Sequence, residues 1–423
     1  MEDIHKIKSI HPIDNFYFDK LKDLSCIFSD YGFNKYRLSI SCEYLIYILN
    51  YEGIDIELTM ESIAIIKDIY KNFTIEDCLK FKSKNYIIVD YLAERLEDPN
   101  IVKFINFGII NEDIDSVSYI LMLKSCIQKV ILPKINEILT QIKKMILEWS
   151  KLPILTYVQG FPSAPSFLGK ELMVYYERLV IQSRKLNNIN YSCKFGGLNG
   201  NFNSLHMALP SIDWIDEINV FIKKLGLTRN QYTTQIDHND NICETFDIIK
   251  RINNIFIDLS NDFQNYLSLN FFKLGGKNLG NINNFEESEV NFSLSNNLGD
   301  FLSNKLPISK LQRDFKSKIY MRHIGSLLSN SFLGLDYLYN GIKNLEINKE
   351  EIEKELTTKY EVIIDGFKTR LSVLEVEYEE TIFKNKITKE NLSKIIDSLD
   401  ITENEKKYLG TITPLNYTGI YKL

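Results

Sequence analysis

DNICETFDIIKRINNIFIDLSNDFQNYLSLNFF, residues 240–272, holds neither proline nor glycine, and its apolar residues Phe246, Ile249, Ile252, Phe256, Leu259, Phe263, Tyr266 and Leu267 recur at a spacing of about 3.6. That pattern predicts one helix of about 30 residues, some 45 Å long at ~1.5 Å per residue. Working outward, 117–149 repeats it with Ile120, Leu123, Ile127, Val130, Ile131, Ile135, Ile138, Ile142 and Ile146, interrupted only by Pro133. Proline lacks the amide proton and crowds the preceding turn, so a bend or break is expected there. Further long helices are expected over 169–185 and 317–345. Apolar residues on more than one stripe of such helices predict a bundle that other subunits help to bury.

The flanks are different. Residues 1–97 read as shorter helices with polar connections, 98–346 as a central bundle of long helices, and 347–423, rich in Glu and Lys with periodic Ile and Leu, as a small helical cap. GGKNLGNINN (275–284) reads as a surface loop between two helices. The fold class expected is all-α.

Composition narrows the function classes. The chain has 423 residues, 44% hydrophobic and 25% charged, which fits a globular protein and excludes bulk disorder. A net charge of −6 argues against coating a phosphate backbone, so no nucleic-acid partner is expected. Six cysteines are scattered without a C-x-x-C pair, so no metal site and no cofactor is expected. No run approaches ~18 consecutive apolar residues, so no membrane span is expected. The first residues lack the apolar core of a secretory signal, and a cytoplasmic protein is expected.

Seven segments, in order, resemble the adenylosuccinate lyase family of the fumarase/aspartase superfamily. HPIDNFYFDK (11–20) is similar to the family's S-P-x-D-G-R-Y opening, and FSDYGFNKYR (28–37) to its first helix. FINFGIINEDIDSVSYILMLK (104–124) resembles the T-S-E-D stretch, and VQGFPSAPSFLGKE (158–171) the T-H-G-Q-P-A-T-P-S stretch. NQYTTQIDHNDNICETFD (230–247), FEESEVNFSLSN (285–296) and LPISKLQRDF (306–315) complete the series. The resemblance implies a three-domain helical fold, a homotetramer built on the long helices, and active sites shared among three subunits. It also implies an elimination in which a base takes a proton from a succinyl group, an acid protonates the departing nitrogen, and fumarate leaves. Positioned acid–base groups contribute ~10²–10⁴-fold to such a reaction.

The residues expected to supply those protons are replaced. Gln159 stands where the family has its acid histidine; its amide can hold a ligand but has no ionisable proton. A second family histidine corresponds to the region of Ser83, Lys84, Asn85 and Tyr86, and no histidine occurs between His11 and His206. The mobile loop that carries the family's base serine corresponds to LGGKNLGNINNF (274–285), which has no serine; Asn281 matches the loop's asparagine. Asn15, Phe16 and Tyr17 replace G-R-Y, and Ile110 and Asn111 replace the hydroxyls of T-S-E-D.

Other positions are kept. Tyr232, Thr233, Thr234 and Gln235 preserve Y-T-T-Q, and Arg313 and Arg322 match two arginines of the nucleotide-phosphate region, with Lys318 in place of a serine. Ligand-binding residues are therefore expected to be Tyr17, Thr233, Thr234, Gln235, Arg313, Lys318, Arg322 and Asn281. Lys318 and Arg322, four apart, would share a helix face and pair with an anion; a solvated basic stripe is the alternative. Thr233–Gln235 have the alternative reading of a helix start kept for capping and tetramer packing alone, and His238 that of a solvated residue or a cap.

Two readings stay open. In the first, the chain has lost the elimination and binds a small anionic ligand or acts in assembly, as a homotetramer or in a mixed oligomer with an intact paralogue. In the second it is a divergent C–N lyase for an N-succinyl or amino-acid substrate, with Tyr157, Lys84 and Lys277 as the nearby groups.

Overall fold

The fold comes from a computed structural model that describes residues 8–51, 54, 56, 58–84, 88–275, 283–383 and 387–422, without the side chains of 81–84 and 380. Asn281, Lys277 and the side chain of Lys84 lie outside the described residues.

The proline-free stretch forms the Asp240–Ser268 helix, 29 residues long. The stretch around Pro133 runs as Asn111–Cys126, a wide π-type turn at Ile127–Ile131, and Leu132–Glu148. Pro133 thus follows directly on the π turn, whose wider ring makes room where a regular turn would crowd the proline. Leu168–Asn187, Asn284–Lys305 and Ile324–Ile342 complete the long helices. The helix expected over 317–345 is interrupted. Lys316–Met321 ends where the Arg322 N–H donates to Ile319 O (3.3 Å) and the His323 N–H to Tyr320 O (3.0 Å). These i→i+3 bonds tighten the last turn and stop the helix without proline or glycine.

The chain divides into two compact units. The first comprises Met1–Ile135, Gln182–Asn254 and Glu289–Asp336. Its core stacks Tyr44 against Phe195 and Phe221, with ring centroids 5.2 and 5.5 Å away, and the Tyr44 hydroxyl donates to Phe107 O at 2.8 Å. A buried polar clasp crosses three helices: Asn253 Nδ2 donates to Ser295 Oγ (3.2 Å), and Ser331 Oγ donates to Asn253 Oδ1 (3.0 Å). Paired inside the core, these groups avoid the cost of an unsatisfied buried polar atom.

The second unit comprises Asn136–Ile181, Ile255–Ser288 and Tyr337–Leu423. It contains an element the helical reading omitted, an antiparallel hairpin of Pro153–Val158 and Phe161–Phe167. Two residues, Gln159 (φ 51°) and Gly160 (φ 81°), turn it, and positive φ at both is the geometry of tight hairpin turns. Pro162 and Pro165 sit in its second strand, where proline is tolerated only at an edge. Further on, Tyr360, Ile363, Phe367, Leu371, Leu392 and Ile396 build a small separate core.

Candidate functional site

The site grows from the first turn of the Asn111–Cys126 helix. Asp113, fully buried, closes that turn by accepting from the Ile110 N–H at 2.9 Å. The same carboxylate accepts from Gly196 N (2.8 Å), Gly197 N (3.2 Å) and Lys194 Nζ (2.6 Å), and the ammonium also donates to Gly197 O at 2.5 Å. Both members of the Lys194–Asp113 pair are 0% exposed. From here a polar chain extends: Lys194 N–H donates to Ser116 Oγ (3.0 Å), which donates to Asp237 Oδ2 (3.0 Å), while Asp237 Oδ1 accepts from Asn230 Nδ2 (3.2 Å) and the Asn239 N–H (2.9 Å). Gly200 admits the 232–235 segment, because a Cβ there would meet Thr233 O at 2.6 Å.

Over this frame lies a cavity of about 450 Å³. Its charged lining, among the described residues, is Arg37, Lys318 and Arg322 against Asp30, Glu112, Asp115 and Asp237. Arg37 Nε stands 2.6 Å from Asp115 Oδ1; Lys318 Nζ lies 3.8 Å from Asp115 and 3.7 Å from Glu112; Arg313 Nη2 lies 3.1 Å from Glu112. Arg313 Nη1 donates to Gln235 Oε1 at 3.3 Å. Burial pushes the Glu112 carboxyl above its usual range, against the pull of Arg313 and Lys318. Burial, with Asp115 nearby, likewise raises the Tyr119 hydroxyl. Phe33 stacks on Tyr119 at 4.7 Å, and the Arg37 guanidinium lies 5.3 Å from the Phe33 ring centre.

The structure thus brings Gln235, Arg313, Lys318 and Arg322 to one region, but commits two of the cations. Lys318 and Arg313 face carboxylates rather than standing open, whereas Arg322 makes no ion pair among the described residues. Thr233 and Thr234 line a neighbouring cavity of about 480 Å³ with His238. His238 accepts from the Asp240 N–H at 3.5 Å, a local cap. Tyr17 stands apart from both cavities and packs edge-on against Phe16 at 4.9 Å. Gln159 belongs to the second unit, exposed at the hairpin tip. Tyr157 there donates to Glu355 at 2.7 Å, and burial together with that carboxylate pushes its hydroxyl well up, which makes it a poor base. Sequence reasoning missed Arg37, Asp115, Ser116, Lys194 and Asp237. The glycines of KFGGLNGN (194–201) were the one local sign of the close approach.

A bundle of long helices with a polar cavity against one helix start is the fold of the fumarase/aspartase superfamily. The fold is shared with a fumarate lyase from Mesorhizobium sp. BNC1, at a TM-score of 0.73 and 14% identity over 95% of each chain. The family model for the adenylosuccinate lyase C-terminal region matches residues 309–418, and the lyase model matches residues 71–278. The adenylosuccinate lyase of Dictyostelium discoideum is 33% identical over 99% of this chain and 97% of its own length. That of Escherichia coli K12 is 31% identical over 99% and 98%. The chain belongs to the adenylosuccinate lyase family.

Proposed function

We propose that this family member has lost the fumarate-forming elimination and works by binding a small ligand or by assembly. The observation that carries the reading is Gln159. In the position that resembles the family's acid histidine stands a carboxamide, fixed in a two-residue turn, with no proton to give near neutral pH. The serine-free sequence 274–285 supports it, as does the commitment of Tyr157 to Glu355. Fold persists without chemistry because the bundle rests on apolar periodicity and the reaction on a few side chains. The reading includes a cytoplasmic homotetramer or a mixed oligomer with an intact paralogue, and three segments at 1–97, 98–346 and 347–423.

The test is fumarate release from adenylosuccinate by the purified chain. The expected result is no turnover above the blank, with Gln159→His alone restoring none, because groups that act as a unit are not additive. Turnover at roughly 1–10³ s⁻¹ overturns the proposal. Fumarate or ammonia from another N-succinyl or amino-acid compound would instead establish a divergent lyase.

A further inference from the structure

We infer that the segment 412–422 is a latch: the Tyr421 side chain pins the base of the Pro153–Phe167 hairpin and so sets how firmly the exposed tip, with Val158, Gln159 and Phe161, is held out. The inference goes beyond the reading above and does not depend on whether the elimination is lost. The segment follows the Glu403–Thr411 helix and contains no helix or strand of its own. It is held in two places. Near its start the Thr413 N–H donates to Asn416 Oδ1 (2.7 Å) and Asn416 Nδ2 donates to Thr411 O (2.8 Å), while the Tyr417 ring fills the space beside Gly366, where a Cβ would lie 2.5 Å from it. From Thr418 on, among the described residues, the one hydrogen bond is that of the Tyr421 hydroxyl, which donates to Ser150 O. A Cβ at Gly419 would meet nothing within 4 Å and Ile420 is fully exposed, so neither packs the segment down.

Tyr421 lands where the hairpin closes. The Leu168 N–H donates to Leu152 O (2.9 Å) and the Gly169 N–H to Trp149 O (3.1 Å), joining the chain that enters the first strand to the chain that leaves the second. A Cβ at Gly169 would lie 2.8 Å from Ser150 Cα, an approach that only glycine allows. Ser150 stands on the entering side and Phe167 on the leaving side. Tyr421 bridges them, with its hydroxyl on Ser150 O and its ring centre 5.4 Å from that of Phe167, because tyrosine carries an apolar ring and a donor on one side chain. The other side-chain holds on the hairpin are Tyr157 on Glu355 (2.7 Å) and Ser166 on Glu171, and both carboxylates belong to helices. The Tyr421 hold alone comes from irregular chain with few contacts, which places it at the low end of local stability. A tip already ordered loses less entropy when a partner grips it, so occupancy of the tip and closure of the latch favour each other.

The experiment is hydrogen exchange of the full chain, read by mass over 153–167 and, as internal reference, over the Lys389–Ser398 helix of the same unit. Tyr421→Ala is expected to speed exchange in the hairpin about fivefold or more and to leave the reference helix within about twofold. Tyr421→Phe keeps the ring and loses the donated bond, so it is expected to move the hairpin in the same direction by less, and it decides the matter if the alanine variant does not fold. Ile420→Ala, at the exposed neighbour, is expected to change neither. Unchanged hairpin exchange in both Tyr421 variants overturns the inference, as does equal acceleration of the hairpin and the reference helix, or an effect of Ile420→Ala as large as that of Tyr421→Ala. None of these readouts involves fumarate release, so the latch and the loss of elimination stand or fall separately.

Discussion

Replacing Lys194 by methionine tests the frame under the cavity. The change keeps most of the side-chain volume and deletes only the ammonium. Asp113 would keep its backbone donors, Ile110 N at 2.9 Å, Gly196 N at 2.8 Å and Gly197 N at 3.2 Å, but would lose the positive charge of Lys194 that touches it at 2.6 Å. Because both side chains are 0% exposed, the stranded carboxylate has no water to turn to. Breaking one partner of a buried pair costs about 3–5 kcal/mol. At ~2–4 °C per kcal/mol for a cooperative unit of ~150–250 residues, the thermal transition should fall by ~6–20 °C. Calorimetry reads this, and Lys194→Met with Asp113→Asn should recover part of it because no net charge is left inside. A Lys194→Met protein melting within about 1 °C of the parent would refute the reasoning: the pair would then contribute no more than an exposed ion pair does.

Asp336 gives a pH test. Burial would raise its pKa, but Lys20 at 3.0 Å and Lys134 at 3.2 Å hold it below the usual carboxylate range. A folded pKa below the unfolded one means stability that is present above the unfolded value and is lost as pH falls through the folded one. Asp336→Asn should therefore lower Tm at neutral pH, and the gap to the parent should close below about pH 4. Packing gives the other: a Cβ at Gly334 would lie 2.6 Å from the Phe292 ring, so Gly334→Ala should cost about 1–3 kcal/mol in urea denaturation. Gly410→Ala, with nothing within 4 Å of the new methyl, should be neutral or stabilising by up to ~1 kcal/mol.

How far the fold was legible depended on how local its causes are. Asp240–Ser268 was readable because 29 residues of helix need only periodic apolar spacing and the absence of breakers, and both are written in the residues themselves. The stop at Arg322–His323 was not, since no proline or glycine marks it and a tightened last turn answers to packing around Met321 and Ile324, both buried. The Pro153–Phe167 hairpin was missed for a related reason. Its second strand carries two prolines and its tip exposes Val158 (60%) and Phe161 (73%), so it shows no alternation of apolar and polar residues for the eye to follow.

The cavity was legible in its cations and illegible in the carboxylates that face them. Arg313, Lys318 and Arg322 stand close together in the chain, but what decides their chemistry is Glu112 and Asp115, some two hundred residues earlier and brought over by the fold. The same holds for the supports: Lys194 and Asp113 are 81 residues apart, and neither residue type by itself announces a buried pair. A physical asymmetry follows. The groups that hold the backbone of the site, Asp113, Lys194, Ser116 and Asp237, are buried and bonded to one another, so a change at any of them is paid in stability. Gln159 is exposed at a hairpin tip with its backbone shape set by the turn, so a change of side chain there costs the fold little. On the proposed reading, substitutions could therefore gather at the proton-transferring positions while the frame stayed intact, which is why full-length identity of 31–33% to adenylosuccinate lyases is a measure of the frame and not of the reaction.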